Sequence, residues 1–371
     1  MITLFDKIFS NFKENKIAVI ENQKGITYQE LFDDCKKVVN FLKIFGKNLK
    51  ICIYLPNDYV SILIFIASSK LKFTVFPLNN SLSIRKLKEF NNIYKFDIIV
   101  SEFDIDFAKK SITTKKISQL LKESLKIRMK CKTGELIDND YIILLTSGST
   151  GNPKPILLTQ KNKYLRSVYA GKTYKINKNE IFIQPYNLDH SIGQRIMFMS
   201  LIHSGTLVTM KTFNVDLWFR YSQLFKVTFS LLVSYHIKDI LRNKNLAKLK
   251  ALKNIVSVSD VLEENVRKEI LKYDFKFHEI YGTTETSTVA NISHRKNSIN
   301  KSVGKVLSFV ETKILNEKKQ MVAEGINGEI ACKTPLMFKK YYNDIQTTSK
   351  NFFNGYFLTG DIGYLKKGYL F

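Results

Sequence analysis

The feature that most narrows the fold is the alternation of two periodicities in the first third of the chain. Leu49–Leu55 (LKICIYL) reads as a strand, Pro56 and Asn57 turn the chain, and Asp58 can cap the helical pattern Tyr59–Ser69. Phe73–Pro77 (FTVFP) is a second strand, Ser83 can cap a helix from Ile84 to about Ile93, and Asp97–Val100 (DIIV) is a third strand. Strands separated by helices imply parallel pairing in an α/β layer structure. A second round follows, with strands expected at Tyr141–Leu145, Ile181–Gln184, Thr206–Met210, Phe229–Val233 and Asn254–Val258, and a helix over Val261–Leu271. From Val303 onwards the pattern changes to short strands and turns, such as Glu311–Leu315 and Gly328–Cys332, so a β-rich end is expected.

The 371 residues, 44% hydrophobic, suffice for two ordinary cores or one large layered domain, and 16 glycines and 6 prolines exclude a low-complexity chain. The net charge of +25 admits attraction of a polyanion or of phosphate-bearing substrates. The lysines nevertheless recur along the whole chain beside Asn and Ile, without an arginine-rich block, which favours solvated faces over a nucleic-acid partner. The densest basic stretch, Lys109–Lys132, carries Ile117, Leu120, Leu121 and Leu125 at helical spacing and reads as a surface helix and connector; contact with a membrane or an acidic carrier is the second reading. Cys35, Cys52, Cys131 and Cys332 are scattered and read as buried thiols rather than metal ligands. Met1–Phe12 has no signal-peptide core, and the apolar run Val60–Ala67 is too short to span a bilayer, so a cytoplasmic protein with no transmembrane segment is expected.

Three motifs carry chemistry. Thr146–Lys154 (TSGSTGNPK) follows an apolar strand directly. The hydroxyls of Thr146, Ser147, Ser149 and Thr150, the backbone freedom of Gly148 and Gly151, and the charge of Lys154 make a cradle for phosphate oxygens, without Walker A spacing. Tyr281–Glu285 (YGTTE) follows the short strand Phe277–Ile280. Tyr281 offers a flat face for a purine, Gly282 permits close backbone approach, Thr283 and Thr284 can donate to a phosphate or carboxylate, and Glu285 can hold Mg²⁺; a helix start with a capping Thr is the plainer alternative. In Thr359–Asp361 (TGD), Asp361 can accept from both ribose hydroxyls, or the tripeptide is an ordinary turn.

In this order the motifs resemble the adenylate-forming superfamily, which includes acyl-CoA synthetases, adenylation domains of nonribosomal peptide synthetases and firefly luciferase. Gly25–Leu31 (GITYQEL), Val303–Leu307 (VGKVL) and Gly328–Asn343 (GEIACKTPLMFKKYYN) extend the resemblance from about Ile17 to Phe371. It implies two α/β subdomains with parallel sheets, roughly residues 1–300, and a smaller distorted β-barrel over 301–371. Together these form the AMP-binding large lobe, with the small C-terminal lobe absent. It implies a phosphate loop at Thr146–Lys154, adenine stacking by Tyr281, an α-phosphate contact by Thr284, Mg²⁺ at Glu285 and ribose binding by Asp361. The implied reaction is attack of a carboxylate on the α-phosphorus of ATP, giving an acyl-adenylate and pyrophosphate. A thiol of coenzyme A or of a carrier-protein phosphopantetheine then takes the acyl group. Both reactants of the first step are anions, so positioning and charge neutralisation dominate, with Lys154 and Thr284 as the catalytic candidates.

Two departures stand out. The family continues past the GYLF at the end of this sequence into a small lobe bearing a catalytic lysine, so a catalytically impaired nucleotide-binding fragment or one chain of a split enzyme is an alternative. Ile255–Leu262 (IVSVSDVL) replaces a usually glycine-rich element, and Asp260 there can cap the following helix or pair with a substrate amine. For the acid pocket, Asn187–Gly193 (NLDHSIG) allows two registers. His190 with Gly193 resembles the HxxG element of acyl- and aryl-activating members, Asp189 stands where amino-acid-activating members hold an ammonium, and a structural role for His190 is the third reading. The first register, with an acyl or aryl acid as substrate, is preferred.

Overall fold

The structure, a computed structural model, describes residues 1–10, 12–125, 127–146, 154–294 and 302–371. The chain forms two compact units, one of Met1–Glu180 with Gln184–Phe213 and one of Ile181–Ile183 with Asn214–Phe371.

In the first unit the expected parallel sheet is present. Its strands run in the order Lys154–Thr159, Asp140–Thr146, Thr74–Pro77, Lys50–Tyr54, Ile98–Ser101, Ser111–Thr113. All neighbours are parallel except the first pair, an antiparallel hairpin in which Thr146 is the register partner of Lys154. The strand Lys154–Thr159 had no expectation from the sequence, because KPILLT is short and begins with a Lys-Pro pair. Asp58 and Ser83 cap their helices as expected, each accepting from a backbone amide three residues on. Tyr59–Leu71 is apolar on every side and buried from Ser61 to Ser69, the condition for a helix enclosed by its own sheet and neighbours. Thr27 and Glu30 of the TYQE element form a capping box that starts the helix Tyr28–Lys43, with the Glu30 carboxylate accepting from the Thr27 amide at 2.7 Å. Away from this sheet, Ile17–Glu21 pairs parallel with Thr206–Thr209 and antiparallel with Lys24–Thr27. The basic stretch contributes a helix only over Thr114–Lys122, with Ile117 buried; Leu125 lies beyond its end and is exposed, so it is not part of the apolar stripe.

In the second unit Phe229–Val233 lies between Ile181–Gln184 and Asn254–Val258, and Lys276–Thr283 follows, all parallel. Ser287–His294, Gly304–Val306, Tyr369–Leu370 and Leu365–Lys366 extend the sheet antiparallel. A second antiparallel sheet orders Glu311–Leu315, Gly328–Lys333, Tyr356–Gly363 and Phe352–Phe353. Val289, Ala290, Val310, Ile314, Ile330, Cys332 and Leu370, drawn from both sheets, form one core, which gives the β-rich end its barrel-like character. The helix expected over Val261–Leu271 is shorter, Glu264–Ile270, with Glu263 at its N-cap. Ser259 takes φ +81°, which turns the backbone out of line and delays the first helical turn. Asp260 therefore caps nothing.

Among the described residues no helix is long and apolar enough to cross a membrane. Cys35, Cys52 and Cys332 are buried free thiols; Cys131 is half-buried, more open than the sequence suggests.

Candidate functional site

Of the phosphate-loop candidates, Ser147, Gly148, Ser149, Thr150 and Gly151 lie outside the described residues, as does the Thr146 side chain. Lys154, half-buried, opens the strand Lys154–Thr159, at the point where the antiparallel pair closes on Thr146.

The segment Asn187–Gly193, the candidate for the acid pocket, is not extended. Leu188 and Asp189 form a turn, with the His190 amide donating to the Asn187 carbonyl at 3.2 Å, and His190 then takes the N-cap position of the helix Ser191–Ile202 without a side-chain cap. Opposite facing of adjacent side chains, which an extended strand would impose, does not apply in a turn. The Asp189 side chain is 12% exposed and that of His190 64%, with 3.7 Å between Oδ2 and Nε2. Burial raises the Asp189 carboxyl above its ordinary range, against the opposing pull of His190. Gly193 is fixed by packing: a Cβ there would stand 2.3 Å from the Asn187 carbonyl oxygen.

In the second unit YGTTE is a β-hairpin, not a helix start. Tyr281, Gly282 and Thr283 end the strand Lys276–Thr283, Thr284–Thr286 turn, and Ser287 begins the return strand. Gly282 is required, but by the fold: a Cβ would meet the Ser287 carbonyl oxygen at 1.9 Å, beside the irregularity in register between Tyr281 and Gly282. The Thr283 amide donates to the Thr286 hydroxyl at 3.1 Å, which donates in turn to the Ser287 carbonyl at 3.0 Å. Thr284 is left half-buried at the tip. Thr286, a buried lock for this turn, was not singled out in the sequence, because a hydroxyl just past a motif carries no signal of its own.

The structure brings Tyr281 and Asp361 together. The Tyr281 hydroxyl donates to Asp361 Oδ2 at 2.7 Å, and burial raises the phenol's pKa. Thr359 donates to the Ile330 carbonyl at 2.8 Å and accepts from the Asp361 amide at 3.1 Å. TGD lies inside the strand Tyr356–Gly363, and Asp361 is exposed, with carboxylate lone pairs beyond the one taken by Tyr281. Glu285 accepts at Oε1 from the buried hydroxyl of Tyr341 at 2.8 Å. Tyr341 stands in the KKYYN segment, and its hydroxyl next to an acid is a signal the sequence could not supply without the fold.

Beside Tyr281 a small cleft is lined by Ser257, Ser259, Asp260, Val261, Arg267 and Glu279, among others. Its charged wall is well satisfied. Arg267 donates to Glu279 at 2.6 and 3.1 Å, and His294 meets the same carboxylate at 2.5 Å. Burial alone would raise the Glu279 carboxyl; the hydrogen bonds from His294 and Arg267 outweigh it and hold it below its ordinary value. Asp260 is exposed, and its backbone carbonyl accepts from the Ser234 hydroxyl.

Residues 5–342 match the model of a family described as AMP-binding enzyme. The chain is 23% identical to the 2-succinylbenzoate–CoA ligase of Listeria innocua over 95% of its own length and 74% of the ligase's. Among solved structures it resembles apo MatB from Rhodopseudomonas palustris (TM-score 0.89, 20% identity, 100% of this chain and 78% of that one). It also resembles the O-succinylbenzoate coenzyme A synthetase of Bacillus subtilis in complex with ATP and magnesium ion (TM-score 0.88, 24% identity, 100% and 79%).

Proposed function

The chain belongs to the AMP-binding enzyme family, and on that premise we propose that it is the large lobe of a ligase that activates a carboxylic acid with ATP and passes the acyl group to coenzyme A. The carboxylate oxygen bonds to the α-phosphorus while the α–β bridging bond breaks, and pyrophosphate leaves with its electrons. The thiol sulfur then bonds to the acyl carbon, AMP leaves, and the thiol proton is released. The observation that carries the reading is the pairing of Tyr281 with Asp361, residues 80 apart in sequence. Tyr281 offers its ring to adenine, its tilt fixed by the hydroxyl bond, and Asp361 keeps acceptor capacity for the ribose hydroxyls. Gly282, Thr283 and Thr284 complete the nucleotide contacts, with the Thr284 hydroxyl at the α-phosphate. Thr146, Ser147, Gly148, Ser149, Thr150, Gly151 and Lys154 hold the β- and γ-phosphates.

Mg²⁺ fits Glu285. One carboxylate oxygen is oriented by Tyr341, which suits an ion held by one carboxylate together with substrate phosphates and water. Bound there, it would offset phosphate charge.

For the acid we propose a fatty, aryl or small carboxylic acid rather than an α-amino acid. Asp189 is largely buried and faces His190, whereas His190 is the accessible member of the pair. A substrate ammonium would lack a committed carboxylate partner. Asp260, exposed on the rim of its cleft, is the other carboxylate that could pair with a substrate amine. A carrier-protein phosphopantetheine presents the same thiol and is the alternative acceptor. Unpaired thiols suit a reducing compartment, and we place the protein in the cytoplasm.

The test is carboxylate-dependent ATP–pyrophosphate exchange across a panel of acids, with nucleotide binding followed by calorimetry. A folded chain that binds neither ATP nor AMP would sink the assignment. Loss of amino-acid-dependent exchange in Asp189→Asn, with His190→Ala tolerated, would reverse the acid class.

A further inference from the structure

The helix Gln160–Tyr174 carries a lysine where a surface-facing pattern would not place one. Lys163 is 3% exposed, and its ammonium donates to Gln194 Oε1 at 2.7 Å. Gln194 is itself fully buried, and its Nε2 donates to the Leu188 carbonyl at 2.7 Å. The ring of Phe198 lies 5.5 Å from the ammonium. Among the described residues no carboxylate pairs with Lys163, and burial, reinforced by the nearby charges of Arg166 and Arg195, lowers its pKa well below the usual value. A buried lysine on a neutral amide is a poor stabilising element, since an apolar side chain of the same volume would avoid the desolvation. Its other consequence is geometric. Gln194 is gripped at both ends of its amide, and the Leu188 carbonyl, one residue before Asp189 and two before His190, is thereby anchored.

We infer that Lys163 and Gln194 are positioning residues for the acid-binding turn, fixing Leu188 and so the placement of Asp189 and His190; this rests on the assignment of that turn to the acid pocket. Other contacts bear on the same turn: the His190 amide donates to the Asn187 carbonyl at 3.2 Å, the Gln194 backbone amide donates to the His190 carbonyl at 3.3 Å, Asn79 hydrogen-bonds the Asp189 side chain, and Gly193 allows the helix to approach the Asn187 backbone. None of these holds Leu188. The Lys163–Gln194 chain supplies that restraint from a separate helix.

The experiment compares wild type, Lys163→Met and Gln194→Glu. Lys163→Met removes the donor at similar volume; Gln194→Glu keeps an acceptor for Lys163 but removes the donor to Leu188. For both, the KM for the preferred acid should rise about tenfold or more, with AMP affinity unchanged by calorimetry. Thermal stability of Lys163→Met should be equal to or above wild type. Hydrogen exchange read by mass spectrometry should quicken in the peptide covering residues 186–193 while that covering 206–209 keeps its protection. Wild-type exchange in 186–193 in both variants overturns the inference, as does an acid KM that stays at the wild-type value while only the apparent kcat falls with the amount of folded protein. If wild type shows no carboxylate-dependent activity, the functional assignment fails, and the hydrogen-exchange comparison still decides whether Lys163 and Gln194 hold the turn.

Discussion

At the scale of single residues the two halves of the proposed nucleotide contact separate cleanly. Asp361 would hold ribose, which AMP retains, so Asp361→Ala should weaken AMP binding by about 1–3 kcal/mol, measured by calorimetry; unchanged affinity would place the ribose elsewhere. Lys154 would contact the phosphates that leave as pyrophosphate. Lys154→Ala should therefore lower the adenylation rate while AMP affinity stays nearly constant, and an equal loss of AMP binding would remove it from the phosphate site. Both residues stand out in the sequence because their types and order point to that chemistry. Tyr341 and Thr286 do not, because a hydroxyl acquires its role from what the fold sets beside it: Glu285 for one, the Thr283 amide for the other. Gly282 was legible as a close approach, but its neighbour is the Ser287 carbonyl of its own hairpin. A glycine in a motif marks crowding without saying what crowds it.

At the scale of elements, strands bounded by turn residues, such as Ile181–Gln184, Phe229–Val233, Asn254–Val258 and Glu311–Leu315, fell where the sequence placed them. Boundaries set by an unusual backbone angle did not, and the delayed helix after Ser259 is the example. The strand Lys276–Thr283 is tied to the helix Glu264–Ile270 through Glu279 and Arg267, and to its hairpin partner through His294. Glu279→Gln breaks a buried ion pair and should cost about 3–5 kcal/mol at pH 7. Because the folded carboxyl is held below its ordinary value, its contribution is complete above roughly pH 4.3, the ordinary glutamate value, and is lost as the pH falls through the lower folded value. Denaturant titrations at pH 7 and near pH 3 should show the gap between wild type and variant narrowing; a gap independent of pH would mean that the charge is not what ties these elements.

At the scale of the whole molecule the charge of +25 acts on reactants that are all anions: a carboxylate, ATP and coenzyme A. The summed field should speed encounter with ATP, and salt should screen it. Raising ionic strength from 0.1 to 1 M is expected to lower the association rate of a fluorescent ATP analogue about tenfold in stopped flow, with little change in its dissociation. A rate indifferent to salt would leave the lysines as solvating surface alone. Connectivity at this scale has a separate effect on how the chain is made. The parallel partner of Ile17–Glu21 is Thr206–Thr209, and the Thr206 hydroxyl bonds to a carbonyl 189 residues earlier. At roughly 5–20 residues per second of synthesis, the amino-terminal hairpin waits on the ribosome for about 10–40 s before that neighbour emerges. Throughout that interval one edge of Ile17–Glu21 is open to any extended segment nearby, so the nascent chain, more than the finished protein, is the form that needs a chaperone.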